Sequence, residues 1–348
     1  MFDINNILRE NIKKLVPYSS ARDEFQGEAS VYLDANENAF GSPLDTNYNR
    51  YPDPLQYAVK LRLSEIKGVP ARNIFLGNGS DEAIDILFRS FCNPGVDNVI
   101  IVPPTYGMYE VSANINDVAL KRVPLTAEYQ LDLDGIAEAI DKHTKMIFIC
   151  SPNNPTGNSI NRADVETLLA NFKGLVVVDE AYINFSRQKT FIQELTEYAN
   201  LVVLQTLSKA WGLAGLRVGM AFASEEIIEV MNKVKPPYNI NEASQQLALE
   251  ALQNVDQVNA WIKETLAQRD KLVLALRNFD FVLDIYPSDA NFILVKTTDA
   301  KGIYNYLVSH GIIVRDRSKV TLCEGALRIT IGTPQENETL IETLKTFK

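Results

Sequence analysis

The stretch Thr206-Leu207-Ser208-Lys209 follows Leu201-Val202-Val203-Leu204, an apolar run short enough to be a buried strand. A lysine just past such a strand stands where open α/β sheets place their ligands, outside the carboxyl ends of the strands. An amine partly withdrawn from water there has a lowered pKa and becomes a nucleophile toward carbonyls. Arg217 lies eight residues further on, past the turn Gly212-Leu213-Ala214-Gly215, and could hold an anion beside that amine. A lone lysine in this position is ordinarily a solvated one. Lys209 is not alone, because other strand ends carry complementary groups.

Gly77-Asn78-Gly79-Ser80-Asp81-Glu82 ends an apolar run at Phe75-Leu76 and opens a periodic helix through Ala83, Ile84, Ile86 and Leu87. Glycines let the backbone turn tightly, so the amides of Gly79, Ser80 and the first helical turn can face a phosphate at the positive end of the helix. The spacing is neither a dinucleotide fingerprint nor a P-loop, which points to a single phosphate. Ser80 or Asp81 could instead merely cap the helix. Tyr106, after Val102-Pro103-Pro104-Thr105, could stack on a planar ligand or plug the core. Ser151-Pro152-Asn153-Asn154-Pro155 makes a stiff turn with amide donors at the end of another apolar run. Val176-Val177-Val178 runs into Asp179, followed by Tyr182. A carboxylate at the lip of a buried strand is costly unless paired, so either a structural salt bridge or a cationic ligand should meet Asp179.

Together the chain offers a phosphate cup, a stacking ring, an amide, a carboxylate, a phenol, a lysine and an arginine. A planar, phosphorylated, cationic heteroaromatic that forms an imine with lysine needs that set. Pyridoxal 5′-phosphate is such a molecule, and a carboxylate at its pyridine nitrogen keeps the ring electron-accepting.

The elements that must position these groups alternate along the chain. Strands are expected near 73–76, 98–102, 118–123, 145–150, 175–178, 201–204 and 218–222, with helical patterns between most of them. That alternation predicts an α/β fold, a mostly parallel seven-stranded sheet flanked by helices. Residues 1–17 read as one amphipathic helix, 31–38 as a strand entering a polar loop, 55–66 as a helix closing at Gly68, and 242–278 as a long helical region. Short strands near 281–285, 291–295, 312–314 and 327–331, with a helix near 302–309, indicate a smaller α/β domain. The boundaries drawn are 30–245 for the large, cofactor-binding domain, and 1–29 with 246–348 for the small one.

Composition narrows the class. Of 348 residues, 46% are hydrophobic and 22% charged, as in a water-soluble globular protein. A net charge of −10 argues against nucleic-acid or anionic-membrane partners, so local arginines must do any anion binding. Cys92, Cys150 and Cys323 are far apart and suggest neither a disulfide framework nor a zinc site, and His143 and His310 have no metal-like partner. No metal is expected. With no run of signal-peptide or transmembrane character, a cytoplasmic location is expected.

The motifs also resemble those of a known family. Pro17-Tyr18, Ala35-Asn36-Glu37-Asn38, Arg50-Tyr51-Pro52, Gly77 to Glu82, Asn153 to Gly157, Val178 to Tyr182, Thr206 to Gly219, Pro237-Tyr238-Asn239 and Leu327-Arg328-Ile329 are similar to those of fold-type I, class II pyridoxal-phosphate-dependent aminotransferases, and within them to the histidinol-phosphate aminotransferase family. The resemblance covers essentially the whole chain. It departs at Ala39-Phe40, where that family usually has Pro-Tyr in a loop. It implies Lys209 as the Schiff-base lysine and proton shuttle, Asp179 at the pyridine nitrogen, and Asn154 with Tyr182 at the phenolic oxygen. Tyr106 would stack on the ring. Gly79, Ser80, Thr206, Ser208 and Arg217 would surround the cofactor's phosphate, with Tyr51 reaching it from the partner subunit of a homodimer, and Asp81 would also belong to the cofactor-binding set. Arg315 and Arg328 would meet the substrate's anionic groups, and Tyr18 and Asn36 would wall the pocket. Arg317 reads as a surface ion-pairing residue. The implied reaction is reversible transfer of an amino group between L-histidinol phosphate and 2-oxoglutarate, giving imidazole acetol phosphate and L-glutamate, in L-histidine biosynthesis. An aromatic-amino-acid aminotransferase and a threonine-phosphate decarboxylase of the same fold are the alternatives. A cofactor-fold regulator would need a DNA-binding extension, for which the chain offers no basic segment.

Overall fold

The structure is a computed structural model, and it describes residues 2–18 and 29–347. Seven strands form the larger sheet: β1 (Ile74–Asn78), β2 (Asn98–Ile101), β3 (Ala119–Arg122), β4 (Thr144–Cys150), β5 (Leu175–Asp179), β6 (Leu201–Thr206) and β7 (Val218–Ala223). Their spatial order is β1-β7-β6-β5-β4-β2-β3. The pairs from β3 across to β6 are parallel, and β7 alone runs antiparallel to both neighbours, β1 and β6. The expected mostly parallel sheet is thus present, with a single reversed strand. Both of its faces are covered. Ile100, Ile147, Val176, Val203 and Met220 point into one apolar layer, while Val99, Met146, Phe148, Val177 and Val202 point into the other. Burial on two sides is why these strands read as unbroken apolar runs rather than alternating ones.

Four strands form the second sheet, β8 (Val282–Ile285), β9 (Phe292–Thr297), β10 (Arg315–Asp316) and β11 (Ala326–Thr330), in the antiparallel order β10-β11-β9-β8. The Val255–Leu276 helix serves both layers: Val258 packs into the large-sheet core, and Leu272 and Leu276 into the small-sheet core.

Three local expectations change. Residues 31–38 form no strand: Val31 and Leu33 are exposed and nothing pairs with them among the described residues. The single N-terminal helix is instead a turn at Ile4–Asn6 and a short helix at Glu10–Lys13. Arg9, between them, is extended, donating its N–H to the Ser90 carbonyl (3.2 Å) and its guanidinium to the Arg89 carbonyl (2.7 Å). Docking on the end of the Gly79–Phe91 helix therefore outweighs local helical propensity, and it carries Ile4 and Ile7 into the core layer of the large sheet rather than the small one. The long helical region divides at residues 252–254 into Glu242–Ala251 and Val255–Leu276. The helix that closes at Gly68 runs Tyr57–Lys67, with that glycine left-handed at φ +70°.

Candidate active site

The carboxyl ends of β1, β4, β5 and β6 and the start of β7 lie along one edge of the large sheet. Lys209, Asp179, Tyr182, Asn154, Tyr106, Thr206, Ser208, Arg217, Gly79, Ser80 and Asp81 all line a single crevice there.

Asp179 ends β5 between Cys150 of β4 and Leu204 of β6, and it is 2% exposed. One carboxylate oxygen accepts from the Tyr109 hydroxyl at 2.7 Å and the other from the Ala181 N–H at 3.0 Å. Both donors are neutral, and no ion pair reaches the group among the described residues, so a structural salt bridge is not its explanation. Burial raises its pKa to about 6, against the lowering effect of these two hydrogen bonds. The adjacent Glu180 is different. It points away from the crevice into a closed network with Thr190, the Phe191 N–H and Gln205, which is a structural arrangement.

Tyr109 is a site residue that sequence reasoning missed. It is fully buried, stacks on Phe148 with centroids 4.9 Å apart, and meets Tyr106 edge-on at 5.6 Å. Tyr106 in turn donates its hydroxyl to Asp81 at 3.0 Å, so its ring is fixed on the crevice wall.

Lys209 follows β6 with its amine 5.6 Å from the Tyr182 ring centroid, and it has no ion-pair partner among the described residues. Partial burial, then the neighbouring Arg328, hold that amine below the ordinary lysine pKa, while Asp179 and Asp81 pull the other way. Tyr182 is buried, and burial pushes its phenol up. The Arg328 guanidinium donates to Asn154 Oδ1 and lies 5.2 Å from the Phe292 ring centroid. The two asparagines therefore divide their tasks. Asn153 holds the turn through the Pro104 carbonyl and Thr156, and Asn154 faces the crevice.

At the other end of the crevice the Gly79–Phe91 helix begins without a side-chain cap. Ser80 and Asp81 are thus not plain caps. Arg217 pairs with Asp81 at 3.3 Å, its carbonyl accepts the Gly79 N–H at 2.6 Å, and both Gly79 and Arg217 are left-handed. Thr206 Oγ1 accepts the Ser208 N–H at 3.0 Å, and Ser208 Oγ is buried without a hydrogen-bond partner among the described residues.

Other expected site residues lie elsewhere in the chain. Arg315 sits opposite Arg328 in the β10–β11 pair, on the small sheet. Tyr18, 75% exposed, lines a hollow with Pro54, Leu55 and Lys235. Asn36 and Tyr51 line a third hollow, where Tyr51 stacks on Tyr238 at 4.5 Å. None of these four is among the residues lining the Lys209 crevice of the same chain.

The family model described as aminotransferase class I and II matches residues 32–344. The chain belongs to that family. A curated histidinol-phosphate aminotransferase of Cytophaga hutchinsonii is 57% identical over 99% of both chains. Among solved structures, a histidinol-phosphate aminotransferase of Sinorhizobium meliloti in complex with pyridoxal-5′-phosphate aligns with TM-score 0.77, 23% identity and 90% of each chain. An L-threonine-O-3-phosphate decarboxylase of Porphyromonas gingivalis aligns with TM-score 0.74, 24% identity, 86% of this chain and 91% of its own. The fold alone therefore does not choose between amino transfer and decarboxylation.

This aminotransferase has a crevice whose donors fit a phosphorylated pyridine aldehyde. The unpartnered Ser208 hydroxyl and the uncapped helix start suit phosphate oxygens, and the buried acid suits a pyridinium. Gly219 is what lets that end close up. It faces Gly77 of β1 on one side and Thr206 of β6 on the other. A Cβ added there would lie 2.0 Å from the Ser80 nitrogen and 2.2 Å from the Gly79 carbonyl carbon, both backbone atoms. Sequence reading registers a glycine in a strand but not the helix start pressed against it. G219A is expected to lower the unfolding free energy by about 1–3 kcal/mol and to weaken coenzyme affinity. An unchanged denaturation midpoint with unchanged affinity would show that the contact is slack.

Proposed function

We propose that this chain catalyses reversible exchange of an amino group between L-histidinol phosphate and 2-oxoglutarate, giving imidazole acetol phosphate and L-glutamate, with pyridoxal 5′-phosphate as coenzyme. The observation that carries amino transfer is Lys209, its amine free of ion pairs, sharing one crevice with the buried acid Asp179. The substrate pair comes from the full-length similarity to the Cytophaga hutchinsonii enzyme.

When bound, the coenzyme supplies an electron-accepting ring that stabilises negative charge at the substrate's α-carbon. In this reading Asp179, ionised, holds the pyridine nitrogen protonated. Tyr106 stacks against the ring, and Asn154 with Tyr182 orient its phenolic oxygen. Gly79, Ser80, Thr206, Ser208 and Arg217 would hold the phosphate end, with Asp81 positioning Arg217 and Tyr106. Lys209 Nζ would hold the coenzyme aldehyde, and its amine would take the substrate's α-proton as base and return it as acid. A lowered pKa suits that work, because it favours the unprotonated amine that acts as base. Arg328 and Arg315 meet the substrate's carboxylate or phosphate.

We infer a homodimer in the cytoplasm. Exposed Leu33 (87%), Phe40 (101%) and Tyr51 (50%) support the dimer, since an arm rich in bare apolar side chains is suited to cover a second subunit. Tyr51 of the partner subunit would then complete the cofactor site, and Tyr18 and Asn36 would wall the substrate pocket. Among the described residues no helix is long and apolar enough to cross a membrane.

The test is a half-reaction titration. Histidinol phosphate should bleach the bound coenzyme's visible absorbance at least tenfold more efficiently than phenylalanine. Release of carbon dioxide from threonine phosphate, with no bleaching by histidinol phosphate, would overturn the reading.

A further inference from the structure

Sequence patterning put Arg317 on the surface, paired with an acid, but the structure gives it no such partner. The β10–β11 pair sets Arg315 directly opposite Arg328. The ladder runs one step further, with the Arg317 N–H donating to the Ala326 carbonyl at 2.9 Å. Side chains alternate along a strand and directly opposed residues share a face, so Arg315, Arg317 and Arg328 project from the same side of the sheet. That side faces the crevice, because Arg328 reaches Asn154 and Phe292 from it. Arg317 is half-buried, and its Nε, like that of Arg328, is buried without a hydrogen-bond partner. None of the three arginines has an ion-pair partner among the described residues, in a chain whose net charge is −10.

Three guanidiniums on one face repel one another. Arg328 is held below its ordinary pKa by burial and then by Arg317, and Arg317 by burial and then by Arg315. The field of Arg317 also reaches Tyr182 on the crevice wall, favouring its ionised form alongside Arg328. In an acidic protein, solvated arginines readily find carboxylates, so an uncompensated trio suits a ligand of more than one negative charge. A phosphate monoester carries roughly −1.5 to −2 at pH 7 and three acceptor oxygens; a carboxylate carries one charge.

We propose that Arg317 is a third phosphate-binding residue beside Arg315 and Arg328, and that it selects phosphorylated over unphosphorylated amino substrates. The inference rests on the aminotransferase reading above. It is tested by kcat/KM for L-histidinol phosphate and for L-histidinol with wild type, R317Q and R317K. The ratio of the two constants should fall about 10- to 100-fold in R317Q, with R317K in between. Equal losses for both substrates would mark Arg317 as structural, and an unchanged ratio would remove it from recognition; either overturns the proposal. Inorganic phosphate, used as an inhibitor of the glutamate reaction, should lose potency by a similar factor in R317Q. That second readout separates two failures. Wild type indifferent to histidinol phosphate but inhibited by phosphate through Arg317 would sink the substrate assignment and keep the phosphate site. Phosphate inhibition equal in wild type and R317Q would sink the site.

Discussion

K209A should lose turnover by at least about 10⁴-fold while keeping its fold. The amine both fixes the coenzyme aldehyde and moves the α-proton in the proposed reaction, and no other lysine lines the crevice to substitute for it. Because the Lys209 amine has no ion pair among the described residues, its removal strands no buried partner there. It also takes a cation away from Arg328, which already depresses the lysine's pKa. The unfolding free energy of coenzyme-free K209A should therefore match wild type within about 0.5 kcal/mol. The check is threefold: single-turnover kinetics with histidinol phosphate, loss of the visible absorbance of lysine-bound coenzyme, and denaturant unfolding. Turnover within tenfold of wild type would remove Lys209 from the chemistry. A collapsed fold would instead assign it a packing role for which its surroundings offer no reason.

What the sequence made legible followed from strand burial. Runs such as Val176 to Asp179 and Leu201 to Thr206 are apolar because both faces of the sheet are covered, so the first polar residues after them fall at one edge. That is enough to gather Asp179, Thr206, Ser208 and Lys209 in one place. Tyr109 escaped because it belongs to the amphipathic helix Met108–Ile115, where an aromatic residue reads as core. Its bond to an acid 70 residues away exists only in the assembled fold. Arg317 escaped for a different reason. The expected strand at 312–314 and the observed one at Arg315–Asp316 are offset, and an offset of that kind leaves the face of each side chain undecided. Tyr18, Asn36 and Tyr51 rest on resemblance alone, and local sequence does not encode which subunit's crevice they border.

The acid opposite Lys209 gives the other large effect, and it can be followed through pH. D179N keeps the shape but cannot hold a pyridinium by charge, so kcat/KM should fall about 10²–10³-fold. In the coenzyme-free protein the sign is reversed. The folded pKa of about 6 exceeds the ordinary value of 3.8, so the fold favours the protonated acid. That stabilisation is complete below about pH 3.8 and is lost as pH rises through about 6. Wild type should therefore lose stability relative to D179N across that window and level off above it. Coenzyme affinity should move the opposite way, strengthening as pH rises through about 6 because the cation needs the ionised carboxylate, and D179N should keep only the shallower rise that comes from the coenzyme's own phosphate. Tyr109 sets where the change occurs. Y109F keeps the ring packed on Phe148 and deletes the 2.7 Å hydrogen bond that favours the carboxylate. Its affinity profile should shift to higher pH, so that it resembles wild type at pH 8 and falls well below it at pH 6. Identical profiles for wild type and Y109F would show that the tyrosine only fills space, and a D179N profile as steep as that of wild type would place the controlling titration on another group.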